Sequence, residues 1–399
     1  MAVILLVDID CFFAQAEQLK RAELRGRPVI VGGDVTDRSV VASASYEARA
    51  RGVKTAMPIS LASRICPEAA FLRGDFALYA ELSEKMREAC QRHTPLVEMM
   101  SLDEAYLDVT GCERHYAQAR GRATGTAWAL EAACGVQEDI LHDTGLRVSV
   151  GAASNRTVAK VASDLAKPGG ILHVWPGREA GLLSPLAVKE LPGVGPKTAA
   201  RLARYNLRTV GELARLPERM LVELFGSGGE YLHAAARGRG STEVTPEAGL
   251  PKSISRETTF QQDTCDRREI AATLSHLLQR ATRQLREEGL LASTVTLRLR
   301  YSDFQTVSMS RTLRNPTDHD DELYGVLMEL LPRLYSRRVA VRLVGAGLSG
   351  LTPTGRQMLL FGEEGYQRRT RLYRSMDAVR RRFGFSSLAS SREVELLGR

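Results

Sequence analysis

The apolar run Val3–Val7 breaks off at two acids, Asp8 and Asp10, and a distant stretch, Ser101–Asp108, reads Ser-Leu-Asp-Glu-Ala-Tyr-Leu-Asp. Asp103 and Glu104 sit side by side at the start of the strand-like Ala105-Tyr106-Leu107, and adjacent carboxylates repel unless a positive charge lies between them. A buried strand that finishes in acid, at Asp8-Ile9-Asp10, and a second that begins with Asp103-Glu104 can bring three carboxylates together at one edge of a sheet. Hard oxygen donors suit Mg²⁺ or Mn²⁺ rather than Zn²⁺. Mg²⁺ completes its shell with waters and substrate phosphates, so a nucleotide is the natural companion. A lone Asp-x-Asp is more often a strand-end cap or a solvated turn; both motifs in one chain favour the metal.

At 399 residues the chain is too long for one compact core and divides into two to four domains. The formal net charge of +8 and a pI near 9.3 point to a polyanionic partner, a weak signal by itself. No apolar run approaches the ~20 residues of a membrane helix, which leads to the expectation of a cytoplasmic protein with no membrane contact. The six cysteines are scattered without a Cys-x-x-Cys pair, so neither a disulfide framework nor a zinc site is expected.

Strand Val3–Val7 is followed by a helix over Phe12–Leu24, whose free N–H groups from Cys11 to Phe13 form an anion cradle beside the acids. Strands follow at Pro28–Val31 and Val40–Ser43, then short helical pieces over Tyr46–Arg73. A long helix (Asp75–Arg92), a hairpin around Ser101, a helix from about Thr124 to His142, a strand (Arg147–Gly151) and a helix (Asn155–Ala166) complete a βαββαβ order. This is a ferredoxin-like sheet with a lobe inserted after its first strand.

Leu191–Leu202 contains Gly193-Val-Gly195-Pro-Lys197, a turn with Pro at a helix start, the pattern of a helix-hairpin-helix. Its exposed backbone N–H groups, with Lys197, hold a DNA phosphate without reading a base; the plainer reading is a Gly-capped turn. Gly238–Pro251 reads as a linker. Beyond it the βαββαβ order recurs through strand Ile254–Phe260, helix Arg267–Glu288, strands Ser293–Tyr301 and Gln305–Thr312, helix Asp320–Tyr335 and strand Val339–Leu348. Alternation places Arg298 and Arg300 opposite Val295, Leu297, Leu299 and Tyr301. If Arg256, Arg311 and Arg342 share their side, one face of the sheet is basic and lies on a duplex; otherwise these arginines are merely solvated. The last segment carries Gln357-Met358-Leu359-Leu360-Phe361, which reads either as a docking peptide or as a terminal element packed on its own domain, and then a basic helix, Arg368–Phe383.

Taken in order, Val7–Phe13, Ser45–Arg49, Ser101–Asp108, Asn155–Gly170, Pro192–Lys197 and Gln357–Phe361 resemble the Y-family of translesion DNA polymerases, most closely the bacterial DNA polymerase IV type, over essentially the whole chain. The resemblance implies a multidomain α+β architecture. It comprises a ferredoxin-like palm (1–10 and 75–165), inserted fingers (11–74), a helical thumb with the hairpin (166–237), a linker (238–252), a βαββαβ little finger (253–350) and a tail (351–399). It further implies two Mg²⁺ ions, replaceable by Mn²⁺, on Asp8, Asp103, Glu104 and the Ile9 carbonyl. Tyr46, Arg49 and Lys160, with Ser43 and the Cys11-Phe12-Phe13 backbone, would grip a deoxynucleoside triphosphate, and Phe13 would be a steric gate under the sugar. Primer-template DNA would be the substrate, held by Gly193, Gly195, Lys197 and the little-finger arginines, and residues 357–361 would bind a sliding clamp. Met358 and Leu359 depart from the family's usual Leu followed by Ser or Asp. The expected protein is a monomer. A nucleotide cyclase on the same scaffold, or a DNA-binding adaptor without chemistry, are the rivals, and primer extension with and without Mg²⁺ separates them.

Overall fold

The computed structural model describes residues 1–120, 128–247, 249–354 and 363–391. The chain divides into two units, Met1–Ala248 and Gly249–Arg399. No helix among the described residues is long and apolar enough to cross a membrane.

In the first unit, β1 (Ile4–Ile9) is followed by α1 (Phe12–Lys20), β2 (Val29–Val31), β3 (Ser43–Ala44), α2 (Tyr46–Ala50), α3 (Ile59–Ile65) and β4 (Ala70–Leu72). Then come α4 (Phe76–Gln91), β5 (Val97–Met99), β6 (Glu104–Asp108), α5 (Glu113–Arg120), α6 (Trp128–Thr144), β7 (Val148–Ala153), α7 (Arg156–Ala166) and β8 (Ile171–His173). The main sheet has the order β5-β6-β1-β7-β8. Its first four strands follow the ferredoxin-like arrangement, with β1 antiparallel to both β6 and β7. The fifth strand, β8, runs parallel to β7. It was not expected, nor was α5.

β1 is buried along its whole length, and its two faces part company. Leu5, Val7 and Ile9 pack toward the core shared with α4 and α6. Ile4 and Leu6 pack toward α7 and the helices that follow. Local chemistry sets the helix starts: Asp75 accepts from Leu78 N–H to cap α4, and Asn155 accepts from Val158 N–H to cap α7. The inserted lobe has a small sheet, β3-β2-β4. The expected strand at Val40–Ser43 is reduced to β3 plus an isolated bridge from Val40 to Pro58. The expected helix Phe12–Leu24 stops at Lys20 and ends in a 3₁₀ turn over Ala22–Leu24.

After β8 the unit is helical: α8 (Glu179–Leu183), α9 (Pro196–Ala203), α10 (Val210–Ala214), α11 (Glu218–Phe225) and α12 (Ser227–Ala236). The stretch expected as a linker is bonded to this unit over its first half. Asn155 Nδ2 donates to Gly238 O, Arg156 N–H to Ser241 O, and Thr245 N–H to Glu98 Oε2.

The second unit contains β9 (Ser253–Thr264), α13 (Arg267–Glu287), β10 (Leu290–Tyr301), β11 (Thr306–Thr317), α14 (Asp320–Leu334), β12 (Val341–Pro353) and α15 (Glu363–Phe383). The βαββαβ chain order recurs, but the spatial order, β11-β10-β12-β9, differs from that of the first sheet. Its core gathers Val295, Leu297, Leu299 and Tyr301 against α13 and α14. The opposite face is a shallow trough walled by Ser253, Ser255, Thr296, Ser308, Gly347 and Ser349.

Candidate active site

Asp8 stands directly opposite Glu104 in the β1–β6 pair, and Ile9 N–H donates to Asp103 O at 2.9 Å. Residues paired across neighbouring strands share a face, so Asp8 and Glu104 both turn toward α7. The positive charge expected between Asp103 and Glu104 lies instead between Glu104 and Asp8: Lys160 of α7 donates through Nζ to Glu104 Oε2 at 2.6 Å and Asp8 Oδ2 at 3.2 Å. Burial opposes a charge there, yet the Glu104 and Asp8 carboxylates outweigh it and hold the lysine pKa above the usual ammonium value. Asp103 takes the hydroxyl of Ser101 at 2.5 Å.

A second lysine, not singled out in the sequence, joins the site. Lys167 Nζ donates to Asp8 Oδ2 at 2.8 Å and Asp164 Oδ1 at 3.1 Å. It caps the C-terminal end of α7, seven residues beyond Lys160. Two helical turns return a side chain to nearly the same face, and that spacing is the signal that could have found it.

Asp10 differs from Asp8 despite the shared motif. It is 2% exposed and accepts from Ser149 Oγ at 2.9 Å, Gly169 N–H at 2.6 Å and Tyr46 Oη at 3.2 Å. Burial raises its pKa while these donors pull it down. Asp10 is therefore a strut tying the end of β1 to β7, to the loop after α7 and to α2.

An open cleft of about 220 Å³ lies beside the acids, lined in part by Asp8, Cys11, Phe13, Ser43, Arg49 and Lys167. Ile9, Phe12 and Asp103 also reach it. Cys11 is the N-cap of α1 in the left-handed region, φ 42°, a conformation that non-glycine residues adopt at some cost. Burial pushes its thiol up to about 11. Ser43 is buried and mainly stitches the lobe to α1: its Oγ donates to Cys11 O at 3.2 Å and accepts from Ala14 N–H at 3.4 Å. Arg49 Nε donates to Ala44 O at 2.9 Å, which orients the guanidinium over the Tyr46 ring at 5.3 Å. Tyr46 lines a separate cleft of about 230 Å³ together with Asp10 and Arg147. Phe13 stacks on Tyr79 at 4.3 Å and 14° and meets Phe76 edge-on at 5.7 Å. Its ring is held rigidly at the edge of the cleft.

Among the described residues no three His, Cys, Asp or Glu side chains close into a metal cage. Asp8 and Glu104 nonetheless fit a divalent cation, because the two carboxylates already share one ammonium and carry hard oxygens. An open, oxygen-only set of this kind suits Mg²⁺, which takes its remaining ligands from water and phosphate.

In the helical part, Gly193 has φ +80°, a turn conformation that glycine adopts at no steric cost. Gly195 caps α9 ahead of Pro196, and Tyr231 Oη latches the turn through Pro192 O at 2.6 Å. Gly193, Gly195 and Lys197 are all exposed.

The five arginines expected to line one face of the second sheet do not share a face. Arg298 and Arg300 stand on the open side, Arg298 paired with Glu257 at 2.7 Å and Arg300 bonded to Thr306 at 2.9 Å. Arg311 lies opposite Val295, and Arg256 opposite Ala346, both core-side positions. Arg311 accordingly pairs with Glu329 of α14, and Arg256 donates to Gln284 of α13 at 2.6 Å. Arg342 falls where the β12 register shifts and covers the Phe304 ring at 4.7 Å. The open face thus carries Arg298, Arg300 and Glu257 among serine and threonine hydroxyls and is not uniformly basic. Residues 357–361 lie outside the described residues.

Comparison with known proteins adds to this geometry. Residues 7–164 match the impB/mucB/samB family, residues 251–360 the C-terminal domain of that family, and residues 189–239 a DNA polymerase-iota thumb domain. A DNA polymerase IV of Dehalococcoides mccartyi (strain CBDB1) is 37% identical over 393 residues, covering 98% of this chain and 97% of the relative. A DNA polymerase IV of Alkalilimnicola ehrlichii is 41% identical over 363 residues, covering 90% and 99%. Among solved structures, a chimera of the Y-family DNA polymerases Dbh and Dpo4 aligns with a TM-score of 0.76 at 27% identity, covering 88% of this chain and 100% of the other.

Proposed function

The chain belongs to the Y-family of DNA polymerases, in the DNA polymerase IV group, and from that premise we propose that it extends a primer 3′-hydroxyl with deoxynucleotides through two Mg²⁺ ions held by Asp8, Asp103, Glu104 and the Ile9 carbonyl. The observation that carries this reading is the pairing of Asp8 with Glu104 across β1 and β6 around a shared cation. When bound, the ions supply a lowered pKa at the primer hydroxyl and neutralise charge on the triphosphate.

The remaining work is placement and charge, which phosphoryl transfer chiefly requires. Arg49 is suited to a forked grip on phosphate oxygens, while Lys160 and Lys167 supply point charges beside Asp8. The Phe12 and Phe13 N–H groups at the start of α1, with Cys11 and Ser43, would receive the triphosphate, while Tyr46 stands in the neighbouring cleft, bonded to Asp10 and next to Arg49. Phe13 under the sugar excludes a 2′-hydroxyl.

In the same reading the Gly193–Gly195 turn and Lys197 hold DNA phosphates, Arg298 and Arg300 contact the duplex backbone, and lesion bypass at low fidelity is the cellular task. Residues 357–361 dock on a sliding clamp, and the protein works as a cytoplasmic monomer. Primer extension on one labelled template, with and without Mg²⁺, tests the core of the proposal. Persistent synthesis by the Asp103→Ala/Glu104→Ala protein overturns it. Deleting Gln357–Phe361 leaves basal synthesis intact and abolishes stimulation by a clamp; equal stimulation overturns the docking assignment.

A further inference from the structure

Arg156 opens α7 and gathers four parts of the first unit at one point. Its guanidinium makes a two-pronged contact with Glu98 of β5, Nη1 to Oε2 at 2.8 Å and Nη2 to Oε1 at 3.0 Å. Nη1 also donates to Glu243 O at 2.7 Å. The plane of the group covers the Tyr106 ring at 4.3 Å, and Tyr106 Oη donates back to Arg156 O at 3.3 Å. Arg156 N–H donates to Ser241 O, while Thr245 N–H reaches the same Glu98 Oε2 at 2.9 Å. Segment 238–245 is thereby strapped across the start of α7 and the edge strand β5.

The same helix carries Lys160 one turn further on, bonded to Glu104 and Asp8. Residues four apart on a helix share a face, so one face of α7 makes both carboxylate contacts. Tyr106 lies two residues beyond Glu104 on β6 and therefore on the same side of the sheet. Arg156 and Glu98 are about one-fifth exposed, which shields their contact from solvent. The fork fixes the guanidinium in two directions, something an ammonium cannot do.

We propose that the Arg156–Glu98 fork and the strap 238–245 are a positioning device that sets the height of α7 on the sheet, and through it the place of Lys160 between Asp8 and Glu104. Neither residue reaches the cleft; both act through Lys160. The inference rests on the reading of Asp8, Glu104 and Lys160 as the reacting centre. It makes the segment leaving the first unit part of the nucleotide site rather than a passive tether.

Gly240 gives an independent handle on the strap. A Cβ there would lie 2.8 Å from Asn155 Oδ1 and 2.9 Å from Thr157 Cβ. The first atom caps α7 and the second cannot rotate away, so Gly240→Ala lifts the strap without touching a charged group.

The test is single-nucleotide insertion by the full chain, with kcat corrected for the active fraction by burst amplitude and with Tm measured for every variant. Arg156→Ala lowers corrected kcat/KM for the incoming nucleotide on the order of 10- to 100-fold, the range that a small misplacement costs. Arg156→Lys recovers only part of the loss. Gly240→Ala moves the same parameter, and the double variant loses no more than the worse single, because both act through one contact. Should Arg156→Ala fail to fold, Gly240→Ala decides by itself. A Gly240→Ala protein with wild-type corrected kcat/KM overturns the proposal, as does full rescue by Arg156→Lys. Lys160→Ala separates the two levels. If it is impaired while folded Arg156→Ala is not, the strap alone is wrong; if Lys160→Ala keeps wild-type kcat/KM, the reading of the centre falls and the inference with it.

Discussion

Asp8 and Glu104 face each other across two antiparallel strands and share the ammonium of Lys160, at 3.2 Å and 2.6 Å. Each carboxylate is thus compensated by an ammonium where the proposed divalent cation would also draw on its oxygens. Removing either acid takes away an oxygen at the point where charge must be neutralised, a contribution of several kcal/mol. Asp8→Asn and Glu104→Gln are each expected to lower kcat on the order of 10³-fold in primer extension. The folded structure should persist, as read by circular dichroism, since both substitutions keep side-chain shape and one acceptor oxygen for the neighbouring lysines.

Lys167 contacts Asp8 at 2.8 Å and lines the cleft, whereas Lys160 is not among the cleft's lining residues and bonds Glu104. A cleft-lining cation contributes to holding the nucleotide, so Lys167→Ala is expected to raise the nucleotide KM on the order of tenfold, the effect of losing one charge-assisted contact of about 1.4 kcal/mol. Steady-state insertion over a nucleotide concentration series checks this. An unchanged KM would leave Lys167 as a partner of Asp8 and Asp164 only.

Phe13 combines a packing role with the gate role that the resemblance implies. Its stack on Tyr79, which is itself anchored through Oη to Glu17 at 2.8 Å, makes it part of the core, while its edge borders the cleft. Phe13→Ala should therefore lower Tm and also admit ribonucleotides. Insertion of paired ribo- and deoxynucleotides measures the second effect, and unchanged sugar selectivity removes the gate assignment.

What the sequence made legible follows from how local each feature is. The acids ending β1 and opening β6 stand out because a charge interrupts an apolar run, and the Gly-x-Gly-Pro turn follows from backbone requirements at adjacent residues. Asp10 looked equivalent to Asp8 because its donors, Tyr46, Ser149 and Gly169, lie 36, 139 and 159 residues away. The strap at 238–245 has the composition of a linker, and only its partners Glu98, Asn155 and Arg156 give it a place. Alternation correctly separated Arg298 and Arg300 from Val295, Leu297 and Leu299 on one strand. It could not place Arg256 or Arg311, because the registers of β9 and β11 against their neighbours depend on pairing across the sheet.

The second unit holds α15 by buried charge. Arg286 bonds Asp377 at 2.6 Å and Asp320 at 2.8 Å, and all three side chains are at most 10% exposed. Burial raises the Asp320 pKa while Arg286 pulls against it. Deleting one member of such a group leaves the others uncompensated, at a cost of about 3–5 kcal/mol. Asp377→Ala is expected to destabilise this unit by roughly that amount, seen as a lowered midpoint in urea, with little change in the fold of the first unit.

The division of the arginines between the two sides of the second sheet predicts different DNA behaviour. Arg298 and Arg300 rise from the open trough, where Ser and Thr hydroxyls and glycine backbone leave room for a nucleic-acid backbone. Arg311 and Arg256 are turned toward α14 and α13 and are occupied by Glu329 and Gln284. A phosphate contact appears as a salt dependence, because each neutralised phosphate releases counterions. Arg298→Ala and Arg300→Ala should each reduce the slope of log K against log salt by about one, uniformly across duplex sequences. Arg311→Ala and Arg256→Ala should leave the slope unchanged and act on stability instead. Arg298 has first to leave Glu257, so Glu257→Gln should strengthen DNA binding at low salt and lose that advantage as salt rises. Equal slopes for all four arginine variants would show that the duplex does not lie on the open face.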